Sequence, residues 1–140
     1  MGGKYYSDYD YAGSDELDDV GWYDWNSEGQ KHEVKQLMPN ELGLYDMSGN
    51  VSEWCGDWYA YYYSTDKPHN PTGPATGEEK VVRGGNYTST VMFDVGECGV
   101  KYRSYLIPSC YNGCWGDTGD PDEPVCFRCR PVGFRFVMPL

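Results

Sequence analysis

The residues of this chain whose types and spacing could do chemistry are six cysteines, two histidines and one short acidic turn. Four cysteines come late and in pairs, Cys110 with Cys114 as C-x3-C and, after eleven residues, Cys126 with Cys129 as C-x2-C. Two close pairs converging on one point would supply the all-thiolate tetrahedron that structural zinc prefers, with no open position for catalysis. The same spacing serves two disulfides in an oxidising compartment, and both readings stand. In either case the cysteines act as staples. In DMSGNVSE, Asp46 and Glu53 flank a Gly49-Asn50 turn, and oxygen-only ligands at such spacing suit calcium. The alternative is that both carboxylates accept bonds from turn amides and nothing binds. His32 and His69 lie in loop sequence and read as surface histidines, since an iron site would need both to converge with a carboxylate.

Charge and composition narrow the classes of function. A net charge of -11 over 140 residues repels phosphate backbones and anionic lipid, so no nucleic-acid partner is expected. No apolar run is long enough to span a bilayer, and no charged-then-apolar leader follows Met1, which predicts a soluble chain without membrane insertion. Extracellular or cell-surface display is the location that disulfides would imply. Aromatic residues make up 16% of the chain, which argues for a folded domain, because disordered segments are poor in them. Fourteen of these are Tyr, a residue equally at home in a core and on a binding face.

The elements that must position these groups are short. From Met1 to about Trp25 no apolar period emerges, so turns are expected, with one helical turn where Asp15, Glu16, Asp18 and Asp19 lead into Val20 and Trp22. Lys31 to Gln36 reads as an edge strand. Pro39 and Asn40 then break the chain, and ELGLYDMSG follows with Leu42, Leu44 and Met47 as apolar anchors. VSEWCGDWYAYYY carries Val51, Trp54 and Trp58 at spacings that suit helix and strand equally. Lys67 to Glu79, with three Pro and two Gly, is expected to be a surface loop. Lys80 to Arg83 (KVVR), closed by Gly84-Gly85, and Gly133 to Val137 (GFRFV) are the clear strands. Residues 86–131 between them read as an irregular, cysteine-stapled loop region, and a stretch of that length points to a functional surface.

Three blocks in order, PNELGLYDMSGNVSEWCGDWY, then NPTG followed by KVVRGGN, then GFRFV, resemble the signature run of formylglycine-generating (sulfatase-modifying) enzyme-like domains. GGKYYSDYDYAGSDELDDVGWY resembles the segment that precedes those blocks in many bacterial members. The resemblance covers residues 1–140, thinning across Thr88 to Pro131, and implies a single α+β domain of C-type lectin-like fold, loop-rich, with a small antiparallel sheet and few helices. Typical members carry a further N-terminal portion. The domain is therefore expected to be N-terminally short, with an oligomer or a completing chain as a means of covering the sheet.

The resemblance also implies a calcium site made by the side chains of Asp46 and Glu53 with the carbonyls of Gly49 and Val51, and it places Cys55 beside Cys98 as a disulfide or as buried thiols. Catalytic members bind copper through two cysteines five residues apart after the Arg-Gly-Gly turn. That pattern falls here on Ser89 and Asp94, and copper(I) demands soft thiolates, so neither a catalytic residue nor copper is expected, even if an insertion let Cys98 contribute one thiolate. Some proteins of this fold are variable, ligand-displaying products of diversity-generating retroelements whose varied residues precede a terminal GFR-like strand. That layout makes Tyr87, Thr88, Ser89, Tyr102, Ser104, Tyr105, Tyr111, Asn112 and Trp115 candidates for a displayed face, built from residues that lose little entropy on binding. The reading is a non-enzymatic module that binds a protein or glycan ligand, retroelement-diversified in one version of it. The alternative is a formylglycine-generating or related metal-dependent oxidase domain.

Overall fold

Leu17 and Val20 lie three residues apart, the spacing that puts two side chains on one face of a helical turn. In the computed structural model, which describes residues 8–62, 73–91, 95–108 and 132–133, they form the single α-helical turn α1 (Leu17–Val20), with both side chains buried and Asp18 and Asp19 facing out. Leu17 and Val20 pack with Tyr11 and Cys98 into a small core, against which Tyr23, Val91 and Val95 rest.

Among the described residues the sheet has four strands in the order β3-β2-β1-β4, where β1 is Ser52–Trp58, β2 Lys80–Arg83, β3 Ser104–Leu106 and β4 Val132–Gly133. β2 runs antiparallel to both β1 and β3, while β4 pairs with β1 in parallel through Ser52↔Val132 and Glu53↔Gly133. The sheet is therefore small, as the sequence implies, but mixed rather than antiparallel. Val81 and Val82 in β2 are both almost fully buried, as a strand flanked on both sides requires. Between Trp54↔Val82 and Trp58↔Lys80, β1 advances four residues while β2 advances two, so β1 bulges there. Lys80 fastens the bulge: its ammonium donates to the Gly56 carbonyl at 2.6 Å and lies 4.0 Å from the centre of the Trp58 ring.

KVVR forms the expected strand, and the ambiguous VSEWCGDW resolves as strand because KVVR pairs with it. GFRFV contributes Gly133 to β4, and its remaining residues lie outside those described. Two expectations need correction. Lys31–Gln36 is not an edge strand: Lys35 takes a positive φ of 68°, and the backbone of His32 is satisfied by the side chain of Asn50 rather than by a neighbouring strand. Leu42 and Leu44 are exposed rather than anchoring, because the turn that carries them is closed locally by Asn40, whose side-chain oxygen accepts from the amides of both. The region 86–131 holds a short 3-10 turn, Gly96–Cys98, and β3, neither of which the sequence signalled. Among the described residues no helix is long and apolar enough to cross a membrane.

Candidate ligand-binding site

Ser48, Gly49, Asn50 and Ser52 are all buried, and they form the hub from which the functional loops hang. Asn50 sits at a φ of +59°, a conformation Asn tolerates better than most residues. Its amide donates to the Trp22 carbonyl at 2.7 Å, its carbonyl accepts from Tyr87, and its side chain exchanges two bonds with the backbone of His32. Ser48 donates to the Cys98 carbonyl and accepts from the Ala12 amide, while Ser52 donates to the Gly85 carbonyl and accepts from the Asn86 side chain. Buried polar groups stay buried only when satisfied in this way. Gly49, at a φ of +75°, leaves no room for a Cβ, which would run into the backbone of Trp22.

Beside this hub lies a cavity of about 640 Å³ lined by Asp46, Val51 and Glu53 together with His32, Lys35 and Tyr45, among others. Three of the four residues expected to hold calcium thus share one cavity, and Gly49 is buried against Trp22. Asp46 Oδ2 already accepts from the Lys35 amide at 2.9 Å. Among the described residues no group of three or more His, Cys, Asp or Glu is placed to hold a metal, so a cation here would depend on main-chain carbonyls beyond the two carboxylates. That donor set is all oxygen and fits a hard cation, not a soft one. His32 is not simply a surface residue: it stacks on Trp22 at 3.9 Å between ring centres, and its Nε2 bonds the Ser27 carbonyl, so that nitrogen carries a proton. His69 and the four late cysteines, Cys110, Cys114, Cys126 and Cys129, lie outside the described residues.

Of the candidates for a displayed face, Thr88, Tyr102 and Tyr105 are exposed and Tyr87 and Ser104 half-buried, and Tyr111, Asn112 and Trp115 lie outside the described residues. Ser89 must be withdrawn. It is 3% exposed, its hydroxyl donating to Glu97 at 2.9 Å and accepting from the Asn86 amide. Thr88 is turned back on Asn86, bonding its side-chain oxygen through both amide and hydroxyl. Tyr105 belongs to a different surface that the sequence reading missed. Its ring lies 4.4 Å from that of Tyr59, and Arg103 stacks 5.6 Å from the same Tyr59 ring while donating to the carbonyls of Ala60 and Tyr61. Tyr61 and Tyr62, 73% and 79% exposed, meet edge to face at 4.6 Å.

Cys55 and Cys98 are free thiols in this structure, Cys98 buried and Cys55 half-buried. Cys98 is buried in the core, where burial first and the Glu97 carboxylate second push its thiol up to about 12. Cys55 is half-buried on β1, where burial raises its thiol against the opposing pull of Arg83. Neither is poised as a thiolate at neutral pH.

The sulfatase-modifying factor enzyme 1-like domain family matches residues 2–137. The chain belongs to this family. It is 45% identical over 54 residues to the mouse formylglycine-generating enzyme, covering 39% of this chain and 14% of that one, and 43% identical over 86 residues to the Chlamydia pneumoniae serine/threonine-protein kinase pkn1, covering 59% and 13%. Among solved structures, Treponema denticola variable protein 1 superposes with a TM-score of 0.69 at 33% identity, over 91% of this chain and 40% of that chain. PvdO from Pseudomonas aeruginosa superposes with a TM-score of 0.51 at 26% identity, over 65% and 34%. The chain thus spans less than half the length of each of these proteins. The fold is the loop-rich α+β, C-type lectin-like fold of this family. Ser89, where the resemblance places the first copper-ligand cysteine, is buried, and Asp94, where it places the second, lies outside the described residues.

Proposed function

We propose that this member of the sulfatase-modifying factor family is a non-enzymatic ligand-binding module that presents a Tyr-rich face to a protein or glycan. The observation that carries the reading is the set Tyr59, Tyr61, Tyr62 and Tyr105, fixed around Arg103 on the sheet and the segment that leaves it. Tyr offers a large amphipathic contact with only two rotatable bonds, and holding it in place beforehand reduces the entropy lost on binding. The buried hydroxyl at Ser89 and the raised thiol of Cys98 support the same reading, since copper(I) chemistry needs accessible thiolates.

The test is to screen the full chain against a glycan array and a displayed random-peptide library, then remeasure each hit with Tyr61→Ser and Tyr105→Ser. Hits that weaken in both variants are expected. Oxidation of a cysteine-containing peptide by the reduced, copper(I)-loaded chain would instead establish the oxidase alternative.

Calcium is proposed as the ion that rigidifies this module, held by the side chains of Asp46 and Glu53 and the carbonyls of Gly49 and Val51. The late cysteines are proposed as staples of the 86–131 loop region, as zinc ligands or as two disulfides. Native mass spectrometry with a free-thiol count separates these, because zinc at one per chain and two disulfides differ in both mass and alkylation. Retroelement diversification is the version in which sibling alleles differ chiefly within 86–131 while residues 40–58 stay constant, and sequencing such alleles tests it.

A further inference from the structure

The cavity beside the Asn50 hub is far larger than one cation needs: at about 640 Å³ it matches small-molecule sites. Two chain segments wall it, and three bonds fix one to the other. The His32 amide donates to Asn50 Oδ1 at 3.0 Å, Asn50 Nδ2 to the His32 carbonyl at 3.1 Å, and the Lys35 amide to Asp46 Oδ2 at 2.9 Å. Lys35, Asp46 and Asn50 all line the cavity, and all take left-handed backbone, with φ of 68°, 55° and 59°. Among the described residues Glu28 is the only other non-glycine residue that does so. Backbone of this kind persists only where its surroundings hold it, and it gathers at ligand clamps.

The lining selects the guest. Val34, Leu44, Tyr45 and Val51 make an apolar wall, of which Val34 and Leu44 are left 62% and 39% exposed. Among the described lining residues Lys31 and Lys35 bring two positive charges, and Asp46 and Glu53 two negative ones. Neither lysine has an ion pair among the described residues, and the Lys35 ammonium lies 5.9 Å from the centre of the Tyr45 ring. A carboxylate has about four acceptor sites, so the bond Asp46 takes from the Lys35 amide leaves room for a further donor. A wall with both signs in equal number favours a guest that carries both, since a singly charged guest meets as much repulsion as attraction. We propose that this cavity binds a small apolar zwitterion, with its carboxylate toward Lys31 and Lys35, its ammonium toward Asp46 and Glu53, and its side chains against Val34, Leu44 and Val51. Free amino acids and dipeptides share that chemistry, and the size of the cavity suits the dipeptide. No residue of the Tyr face is among the described lining, so the site is independent of the display reading. Calcium is its rival, because metal and ammonium need the same two carboxylates.

Isothermal titration of the full chain in EDTA, which keeps calcium off the carboxylates, tests this with Leu-Leu, its N-acetyl and C-amide forms, free Leu and Gly-Gly. Leu-Leu is expected to bind best, and each blocked form about tenfold more weakly, the loss of one charge-assisted bond. Free Leu should bind several-fold more weakly than Leu-Leu and Gly-Gly undetectably, because the apolar contact shrinks or vanishes. The double variant Lys31→Gln with Lys35→Gln removes two exposed ammoniums and leaves the three bonds between the walls in place. It should weaken Leu-Leu by about tenfold and bind Leu-Leu and its C-amide alike, since the terminal carboxylate has lost its partners, while thermal unfolding stays within the error of the parent. Leu-Leu that fails to bind at millimolar concentration would overturn the proposal. So would free and blocked peptides that bind the parent alike, or a lysine variant that binds Leu-Leu as well as the parent does. If free Leu binds more tightly than Leu-Leu, the zwitterion assignment survives and the dipeptide source falls.

Discussion

Asn50 illustrates how much a single side chain can hold. With its amide oxygen on the His32 N–H and its amide nitrogen on the His32 carbonyl, it supplies the two bonds a neighbouring strand would otherwise give. Asn50→Ala should therefore cost about 1–3 kcal/mol in urea unfolding, the penalty for two half-buried backbone groups left without their protein partner and for alanine at a positive φ. Cys98 makes a prediction of a different kind. Its thiol is raised from the ordinary 9.0 to about 12, so its contribution to stability is complete below pH 9 and is lost as the pH climbs toward 12, where the unfolded chain ionises before the folded one. Tyr23, raised from 10.0 to about 12 chiefly by burial and then by Asp18, acts in the same direction. Urea midpoints measured from pH 8 to pH 11 should fall, and Cys98→Ser should flatten that fall. In the native protein at pH 8, a thiol reagent should label Cys55 well before Cys98, as peptide mass mapping would reveal.

At the scale of elements, Arg103 ties β3 to the segment that leaves β1. A lysine in its place carries one compact charge and cannot fork to two carbonyls. Arg103→Lys should leave global stability within about 1 kcal/mol yet speed hydrogen exchange at residues 60–62, since local opening is set by local bonds. The same element explains what sequence could and could not reveal. KVVR is legible because two adjacent β-branched valines are followed within two residues by a pair of glycines, and α1 is legible because an acidic run leads into the apolar Val20 and Trp22. β3 is not, since Ser104, Tyr105 and Leu106 carry no pattern of their own and become a strand only by pairing with β2. The edge strand expected at Lys31–Gln36 fails for the converse reason, because a tertiary contact from Asn50 satisfies a backbone that local composition suggested would pair. Of the site, the grouping of Asp46, Val51 and Glu53 around one cavity could be read in advance because they lie in one short turn sequence. The Tyr face could not, since it joins Tyr59 to Tyr105 across 46 positions of chain.

At the scale of the whole molecule, the small core among the described residues makes any bound ion count. Tyr11, Leu17, Val20 and Cys98 form a modest apolar cluster, and much of the remaining cohesion comes from hydrogen bonds to turns and loops. Calcium binding the folded state alone should stabilise the domain by about 2.7 kcal/mol at a hundredfold excess over its dissociation constant. Thermal unfolding with calcium and with a chelator should then differ by several degrees. Glu53→Gln should abolish most of the difference, and magnesium should reproduce little of it because it resists giving up its water. If the calcium and chelator curves coincide, Asp46 and Glu53 serve as acceptors for turn amides only.

The bonds of the hub share one further property. Asn50 holds the main chains of Trp22, His32 and Tyr87, Ser48 those of Ala12 and Cys98, and Ser52 that of Gly85, while Arg83 and Arg103 close on carbonyls of residues 60, 61, 100 and 102. The fastening residues grip backbone atoms that every amino acid supplies, so they do not read the identity of the loops they hold. Side chains at positions such as 34, 61, 62 and 105 can be exchanged wholesale without rewriting the instructions that close the fold, which makes the domain a scaffold for resurfacing by evolution or by design.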